Sequence, residues 1–244
     1  MIVTILGSGS GLPTPNKNHS CLLVQSNQKN LLVDCGEPAA RTLTEYDFKP
    51  DFLDGIVISH LHPDHISGIY MLIQLLHISK RQKDLYLFLP ERENDFIKSM
   101  EMLYLFPAKL PFNLIIQNIT TLNNWAEFVQ IFENDHLKRY RKFVQDNNLP
   151  NKLKSYSILL KGEDKNLFYT ADFSNLPQLA APVDAADIIV IDALHPPAKQ
   201  IIELFATDKT IILTHGISSE LETEIKTRIY PNVKKADDYQ EIKF

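Results

Sequence analysis

The chain has 244 residues, of which 44% are hydrophobic and 23% are charged, and its formal net charge is −5. This composition predicts a globular protein with a sizeable core and argues against a disordered or fibrous chain. The negative net charge argues against a protein that binds nucleic acid over its whole surface. No apolar run is long enough to span a membrane. Cys21 and Cys35 are far apart in sequence, which predicts two buried thiols and a reducing, cytoplasmic location.

The first third of the chain predicts strands. Short runs rich in leucine and β-branched residues, bounded by turn residues, predict strands over Ile2–Leu6, Cys21–Gln25 and Asn30–Asp34. Because the first strand starts at once, we expect no signal segment ahead of it. The stretch Gly7–Gly11 is similar to a dinucleotide-binding loop, but prolines follow where that motif needs a helix. We therefore expect a tight turn there.

Strands and helices alternate through the rest of the chain. Apolar residues at helical spacing predict a helix from just after Pro63 to His77. Other predicted helices are Glu91–Leu103, Ala198–Phe205 and Ser219–Arg228. The predicted strands are Leu85–Leu89, Phe112–Ile116, Ile119–Leu122, Phe128–Glu133, Ser157–Lys161, Leu167–Thr170, Ile188–Ile191 and Ile211–Leu213. Short connections favour antiparallel pairing between residues 112 and 133. No composition break divides the chain, so we expect one α/β domain over 1–244, with two sheets and outer helices.

The densest group of metal-ligating side chains is the run His60-Leu61-His62-Pro63-Asp64-His65, which follows an apolar stretch. Side chains alternate along an extended segment, so His60 and His62 point the same way and can hold one metal ion. Asp64 and His65 follow the turn at Pro63 and can hold a second ion. Imidazole and carboxylate without a nearby thiolate suit Zn, Mn or Fe(II). The alternative is a polar loop that happens to be rich in histidine.

Three more ligand-type residues follow predicted strands, namely His136, Asp172 and His215. Loops converge at strand ends, where sites are usually built. The seven residues divide into His60, His62 and His136 for one metal, Asp64, His65 and His215 for the other, and Asp172 as the bridge. A hydroxide held between the two ions, with its pKa lowered towards neutrality, is then the expected nucleophile.

This pattern is similar to that of the metallo-β-lactamase superfamily, whose hallmark is a His-x-His-x-Asp-His run followed by a His, an Asp and a final His. All seven positions are filled. The resemblance implies a four-layer αββα sandwich with a dinuclear site at the sheet edge. The segments Leu6–Pro15, Asn18–Cys21 and Leu32–Glu37 resemble the ribonuclease Z branch and its relatives, the cyclic-phosphate phosphodiesterases. Within that resemblance His19 is a loop residue near the site, for which we expect a structural role.

The chain departs from the ribonucleases Z that process tRNA in two places. His136 and Asp172 are only 36 positions apart, too few for the long arm of those enzymes. Ile191 stands where they place a catalytic histidine, although His195 follows and can protonate the leaving oxygen, unless it is an ordinary strand-end histidine. The short interval also holds a basic segment, which is either a solvated face or a patch that contacts phosphate: Lys138, Arg139, Arg141, Lys142, Lys152 and Lys154.

These residues and the resemblance predict a metal-dependent hydrolase with two divalent ions, Zn first and Mn or Fe as alternatives. The preferred substrate is a small-molecule or nucleotide-like phosphodiester, with nucleic acid as an alternative and a homodimer left open. Asp64 and Asp172 would position the nucleophile, and His195 would protonate the leaving group. Two alternatives remain: a carboxylic ester, thioester or lactone hydrolase on the same site, and a non-catalytic protein that binds metal without turnover.

Overall fold

Two β-sheets face each other in the computed structural model, which describes residues 1–244. The strands are β1 (Ile2–Gly7), β2 (Cys21–Gln25), β3 (Asn30–Val33), β4 (Gly55–Val57), β5 (Leu85–Leu89), β6 (Leu114–Asn118), β7 (Val129–Glu133), β8 (Tyr156–Lys161), β9 (Asn166–Tyr169), β10 (Ile188–Ala193), β11 (Thr210–Ile217), β12 (Val233–Lys235) and β13 (Gln240–Lys243). One sheet has the order β13-β1-β2-β3-β4-β5-β6, and the other has the order β12-β11-β10-β9-β8-β7.

Nine helices connect these strands. They are α1 (Ala39–Glu45), α2 (Pro63–Ile66), α3 (Ile69–Ile78), α4 (Glu93–Met102), α5 (Leu122–Trp125), α6 (Arg141–Asp146), α7 (Ala180–Ala185), α8 (Ala198–Leu204) and α9 (Ser219–Thr227). Short 3-10 turns lie at Pro107–Lys109, Ile119–Thr121, His136–Tyr140 and Leu176–Leu179. None of the helices has the length and apolar character needed to cross a membrane.

The alternation of side chains along each strand divides the core into layers. In β2, Leu22 and Val24 pack between the two sheets, whereas Cys21 and Leu23 pack under the outer helices of the first sheet. The second sheet does the same along β10, where alternate residues join the central core and the core under its own helices. Strands buried on both faces read as continuous apolar runs, as these do. The predicted α/β sandwich with outer helices is confirmed.

The central core draws its side chains from both halves of the chain. Val33 and Phe88 of the first sheet lie in one buried cluster with Ile158 and Val190 of the second. The last strand, β13, also pairs with β1. We propose on this ground that residues 1–244 form one domain.

Three local predictions were wrong or incomplete. Ile119–Leu122 is not a strand, because the Asn118 side chain accepts the Thr120 N–H at 3.1 Å and starts a helical turn that leads into α5. β6 pairs with β5 in parallel, since α4 carries the chain back across the sheet. The helix predicted after Pro63 is interrupted between α2 and α3. There Gly68 approaches the neighbouring backbone so closely that a Cβ would lie 2.6 Å from the Gly36 carbonyl oxygen.

Both cysteines are buried and unpaired, as predicted. Burial raises the pKa of Cys21 and of Cys35 well above the usual value for a thiol. The two side chains therefore pack as small apolar groups. The cytoplasmic location inferred from them stays a prediction.

Candidate metal centre

The seven predicted ligand residues meet where several strands end. His60, His136 and Asp172 each stand three residues beyond a strand, namely β4, β7 and β9, and His215 lies near the end of β11. Pro63 occupies the first position of α2, where its fixed φ suits a helix start, so the short helix turns Asp64 and His65 towards the other strands. Strand ends from both sheets, together with α2, thereby supply the side chains of the cluster.

Four of these residues form a first group. His60 Nε2 and His136 Nε2 each lie 3.1 Å from His62 Nδ1, and Asp172 Oδ2 lies 3.5 Å from His136 Nε2. Two ring nitrogens therefore approach the same nitrogen of His62. Ligands about 2.0–2.1 Å from a tetrahedral zinc ion are separated by roughly 3.3 Å, which is close to these distances.

The second group shares Asp172 with the first. His65 Nε2 lies 3.2 Å from Asp172 Oδ1, and His215 Nε2 lies 3.1 Å from Asp172 Oδ2. Asp64 Oδ2 completes the group at 3.6 Å from His65 Nε2 and 3.7 Å from His215 Nε2. The ligand atoms within each group lie within 4.8 Å of one another. The two groups coincide with the division expected from the sequence, and the binding of metal by these residues stays a prediction.

The charges and hydrogen bonds of the cluster fit divalent cations. Burial lowers the pKa of His60, and it lowers that of His136 to about 3, so both rings are neutral, as metal ligands must be. His65 Nε2 and Asp172 Oδ1 are buried but make no hydrogen bond, a costly arrangement for two polar atoms unless a cation lies between them. His136 Nδ1 also lacks a partner, and nothing in the structure explains this.

The pKa values of His65 and Asp172 show the same preference for positive charge. Burial would lower the pKa of His65, but the charges of Asp172 and Asp34 outweigh burial and raise it well above its usual value. Burial would raise the pKa of Asp172, but His65 and His215 outweigh burial and hold it well below the usual range. A positive charge between these groups, carried by a proton or by a metal ion, is therefore favoured.

Residues outside the predicted set hold the histidines in place. Asp34 accepts a hydrogen bond from His65 Nδ1 at 2.8 Å and also binds Ser59. Ser59 Oγ lies 3.0 Å from His60 Nδ1, and Ser20 Oγ lies 3.1 Å from His215 Nδ1. Such partners fix the ring orientation and leave Nε2 free as a ligand. Sequence reasoning missed all three roles, although Asp34 follows an apolar strand as the ligands do, and that signal would have found it.

The backbone at this edge is strained. Asp34, Ala171 and His215 have φ values of 57°, 46° and 61°, in the left-handed region that side chains with a Cβ disfavour. Strain of this kind, of order 1–3 kcal/mol per residue, persists only where the surroundings impose it, and it clusters at functional sites.

His195 also lies at the cluster. Its Nδ1 is 2.9 Å from Asp192 Oδ2 and 3.6 Å from Asp172 Oδ2. Burial would lower the pKa of His195, but the hydrogen bond to Asp192 outweighs burial and raises it. Ile191 is fully buried under the outer helices, so it is His195 that faces the candidate ligands. His19, by contrast, is in none of the candidate ligand groups, and its Nδ1 lies 2.8 Å from the Ser10 carbonyl oxygen.

The two-sheet sandwich is the metallo-β-lactamase fold, and the chain, with its His/Asp cluster at one edge of the sheets, is similar to ribonucleases Z and to other proteins of this fold. Human tRNase Z, short form (ELAC1), is similar over 100% of this chain and 99% of its own, with a TM-score of 0.70 and 18% identity. The metallo-β-lactamase fold protein YhfI from Bacillus subtilis is similar over 99% of this chain and 98% of its own, with a TM-score of 0.69 and 20% identity.

The chain belongs to the family of the Anti-Pycsar protein Apyc1, whose family profile matches residues 1–201. The ribonuclease Z of Saccharolobus solfataricus is 27% identical over an alignment of 282 positions, which covers 97% of each protein. The ribonuclease Z of Methanococcus maripaludis is 35% identical over 100 residues, 41% of this chain. That match spans only about a third, 32%, of the archaeal protein.

Proposed function

We propose that the chain is a phosphodiesterase that works with two divalent metal ions, Zn first and Mn or Fe as alternatives. The observation that carries the proposal is the pair of four-residue groups that share Asp172 and include its buried, unpartnered oxygen. Two bound cations would lower the pKa of the attacking water and neutralise charge on the phosphoryl oxygens.

The protein's own side chains supply the proton transfers. Asp64 has a side chain that is 11% exposed, at the solvent side of the cluster, where its carboxylate orients and deprotonates the attacking water. His195 is half-buried and engages Asp192 through Nδ1, so its protonated ring presents Nε2–H to the leaving oxygen. Asp192 keeps the ring in this orientation and favours its protonated form.

The substrate that we propose is a small-molecule or nucleotide-like phosphodiester. Between His136 and Asp172 the chain forms a 3-10 turn, α6, β8 and β9, with no long arm. Nucleic acid is the alternative, as the names of the ribonuclease Z relatives suggest. A homodimer stays a prediction.

Hydrolysis of bis(p-nitrophenyl) phosphate by metal-stripped protein tests the proposed function. We expect no turnover after chelation, and recovery when about two equivalents of Zn, Mn or Fe(II) are restored. Hydrolysis of p-nitrophenyl acetate in the same preparations is the comparison. If the protein binds two equivalents of metal but cleaves only the carboxylic ester, the substrate class is wrong, and if it cleaves neither, the non-catalytic alternative stands.

We expect the His195→Ala and Asp192→Asn variants to lose activity according to the leaving group. General acid catalysis contributes about 10²–10⁴-fold, and a poor leaving group needs the proton most. The loss of kcat should therefore be larger for methyl phenyl phosphate than for bis(p-nitrophenyl) phosphate, at unchanged metal content. His77→Gln, on α3 away from the cluster, is the control. Equal losses on both substrates would show that His195 does not protonate the leaving group.

A further inference from the structure

A cavity of about 290 Å³ opens directly beside the first group of candidate ligands. Its lining is mostly apolar and includes Leu61, His62, Tyr140, Phe143, Leu149 and Leu153. The Tyr140 ring meets the His62 ring edge-on, with 5.7 Å between ring centres. A group bound here would therefore lie next to the reacting atoms. The roles proposed for the candidate metal ligands and for His195 do not require this cavity.

The cavity is a built feature rather than a gap between loose loops. Glu91 is buried behind it, and its two carboxylate oxygens accept the backbone N–H groups of Lys152 and Lys154 at 2.5 and 3.1 Å. These bonds hold the segment that forms the back wall in place and give each carboxylate oxygen of Glu91 a hydrogen-bond partner. Phe143 also lines the cavity and remains 62% exposed, so its ring is open to a bound group.

An unpaired cation stands beside Tyr140. The Arg139 guanidinium lies 5.0 Å from the centre of the Tyr140 ring, and its Nη2 donates to the Tyr140 hydroxyl at 3.2 Å. No carboxylate lies within ion-pair distance of Arg139, whereas Lys154 in the same basic segment pairs with Glu133 at 2.7 Å.

We propose that this cavity binds an aromatic ring on the group that the phosphodiester retains, and that Arg139 binds a non-bridging oxygen of the same phosphate. The inference rests on the proposed function and deepens it, because it names the substrate as an anionic diester with a flat, apolar substituent. The volume suits one small ring system, and Tyr140 and Phe143 offer it aromatic contacts. Arginine suits phosphate because its planar fork can donate two parallel hydrogen bonds. A carboxylic ester, being neutral, would gain nothing from that charge.

Two substrates with the same leaving group test the subsite. We expect p-nitrophenyl phenyl phosphate to be cleaved with a kcat/KM at least about tenfold above that of p-nitrophenyl methyl phosphate. Phe143→Ala should remove most of this preference, and because Phe143 is exposed the variant should fold. Arg139→Gln should raise KM for both diesters by about tenfold or more, since a charge-assisted contact is lost. Lys142→Gln makes the same charge change at an exposed position on α6 and is the control.

Binding gives a second readout that does not need turnover. We expect diphenyl phosphate to bind more tightly than dimethyl phosphate in calorimetry, and Arg139→Gln to weaken both far more than Lys142→Gln does. If phenyl and methyl diesters are cleaved and bound equally well, or if Arg139→Gln and Lys142→Gln have equal effects, the proposed subsite is wrong. The proposed phosphodiesterase activity would be unaffected by either result. If neither diester is cleaved, the proposed function fails, and the calorimetry still decides whether the cavity binds aromatic phosphates.

Discussion

Replacing Asp172 by alanine is expected to abolish hydrolysis and to lower the metal content from about two equivalents to less than one. Asp172 is the only residue shared by the two candidate groups, and its oxygens lie 3.2 Å from His65 Nε2 and 3.1 Å from His215 Nε2. Since bound cations contribute several kcal/mol of transition-state stabilisation, we expect kcat to fall by about 10³-fold or more. Elemental analysis of dialysed protein and hydrolysis of bis(p-nitrophenyl) phosphate measure the two effects.

The matched control for this variant is Asp164→Ala, which removes an exposed carboxylate in the turn between β8 and β9, at the opposite end of β9 from Asp172. It should retain two equivalents of metal and full activity. Thermal unfolding of both variants separates loss of metal from loss of the fold. An Asp172→Ala protein that keeps two metal ions and its turnover would contradict the shared role of this carboxylate.

The parts of the site that could be predicted from sequence are those with a local signature. The run from His60 to His65 combines strand alternation with a turn at Pro63, and His136, Asp172 and His215 each follow an apolar strand. Strand ends lie together at a sheet edge, so residues that directly follow strands can be expected to lie close to one another in the fold. The layers of the fold follow for the same reason, because strands buried on both faces can be recognised as apolar runs.

What could not be predicted depends on contacts between distant segments. Asp34 and His65 form their hydrogen bond across 31 positions of sequence, and Ser20 and His215 across 195. The cavity beside His62 needs Leu61, Tyr140 and Leu153 to come together, and none of them is unusual in its own segment. The prediction of a strand at Ile119–Leu122 was wrong for a local reason, since one capping hydrogen bond, donated by the Thr120 N–H to the Asn118 side chain, outweighed the β-branched composition of the segment.

We expect Asp34→Asn to cost about 3 kcal/mol or more of folding free energy and to weaken metal binding by about 10–100-fold. The buried Asp34 carboxylate accepts four hydrogen bonds, from the Ser59 N–H and hydroxyl, His65 Nδ1 and the Tyr169 hydroxyl. An amide with its NH₂ at the Oδ1 position faces the Ser59 N–H, and one with its NH₂ at the Oδ2 position offers a donor where the other three donors converge. His65 would then have to move its proton from Nδ1 to Nε2, and a protonated Nε2 cannot bind metal. Urea unfolding of the protein after removal of metal with a chelator measures the free energy of folding, and equilibrium dialysis measures the metal affinity.

Tyr169→Phe separates the two effects, because it removes one of the four donors and leaves the His65 contact unchanged. Its expected cost is about 1–2 kcal/mol of stability, with metal affinity close to that of the wild type. If Asp34→Asn and Tyr169→Phe weakened metal binding equally, the loss would reflect general loosening of the core. If only Asp34→Asn weakens it, the tautomer of His65 is what Asp34 controls. The Asp34 carboxylate then contributes both to the stability of the fold and, by setting the tautomer of His65, to the metal affinity of the site.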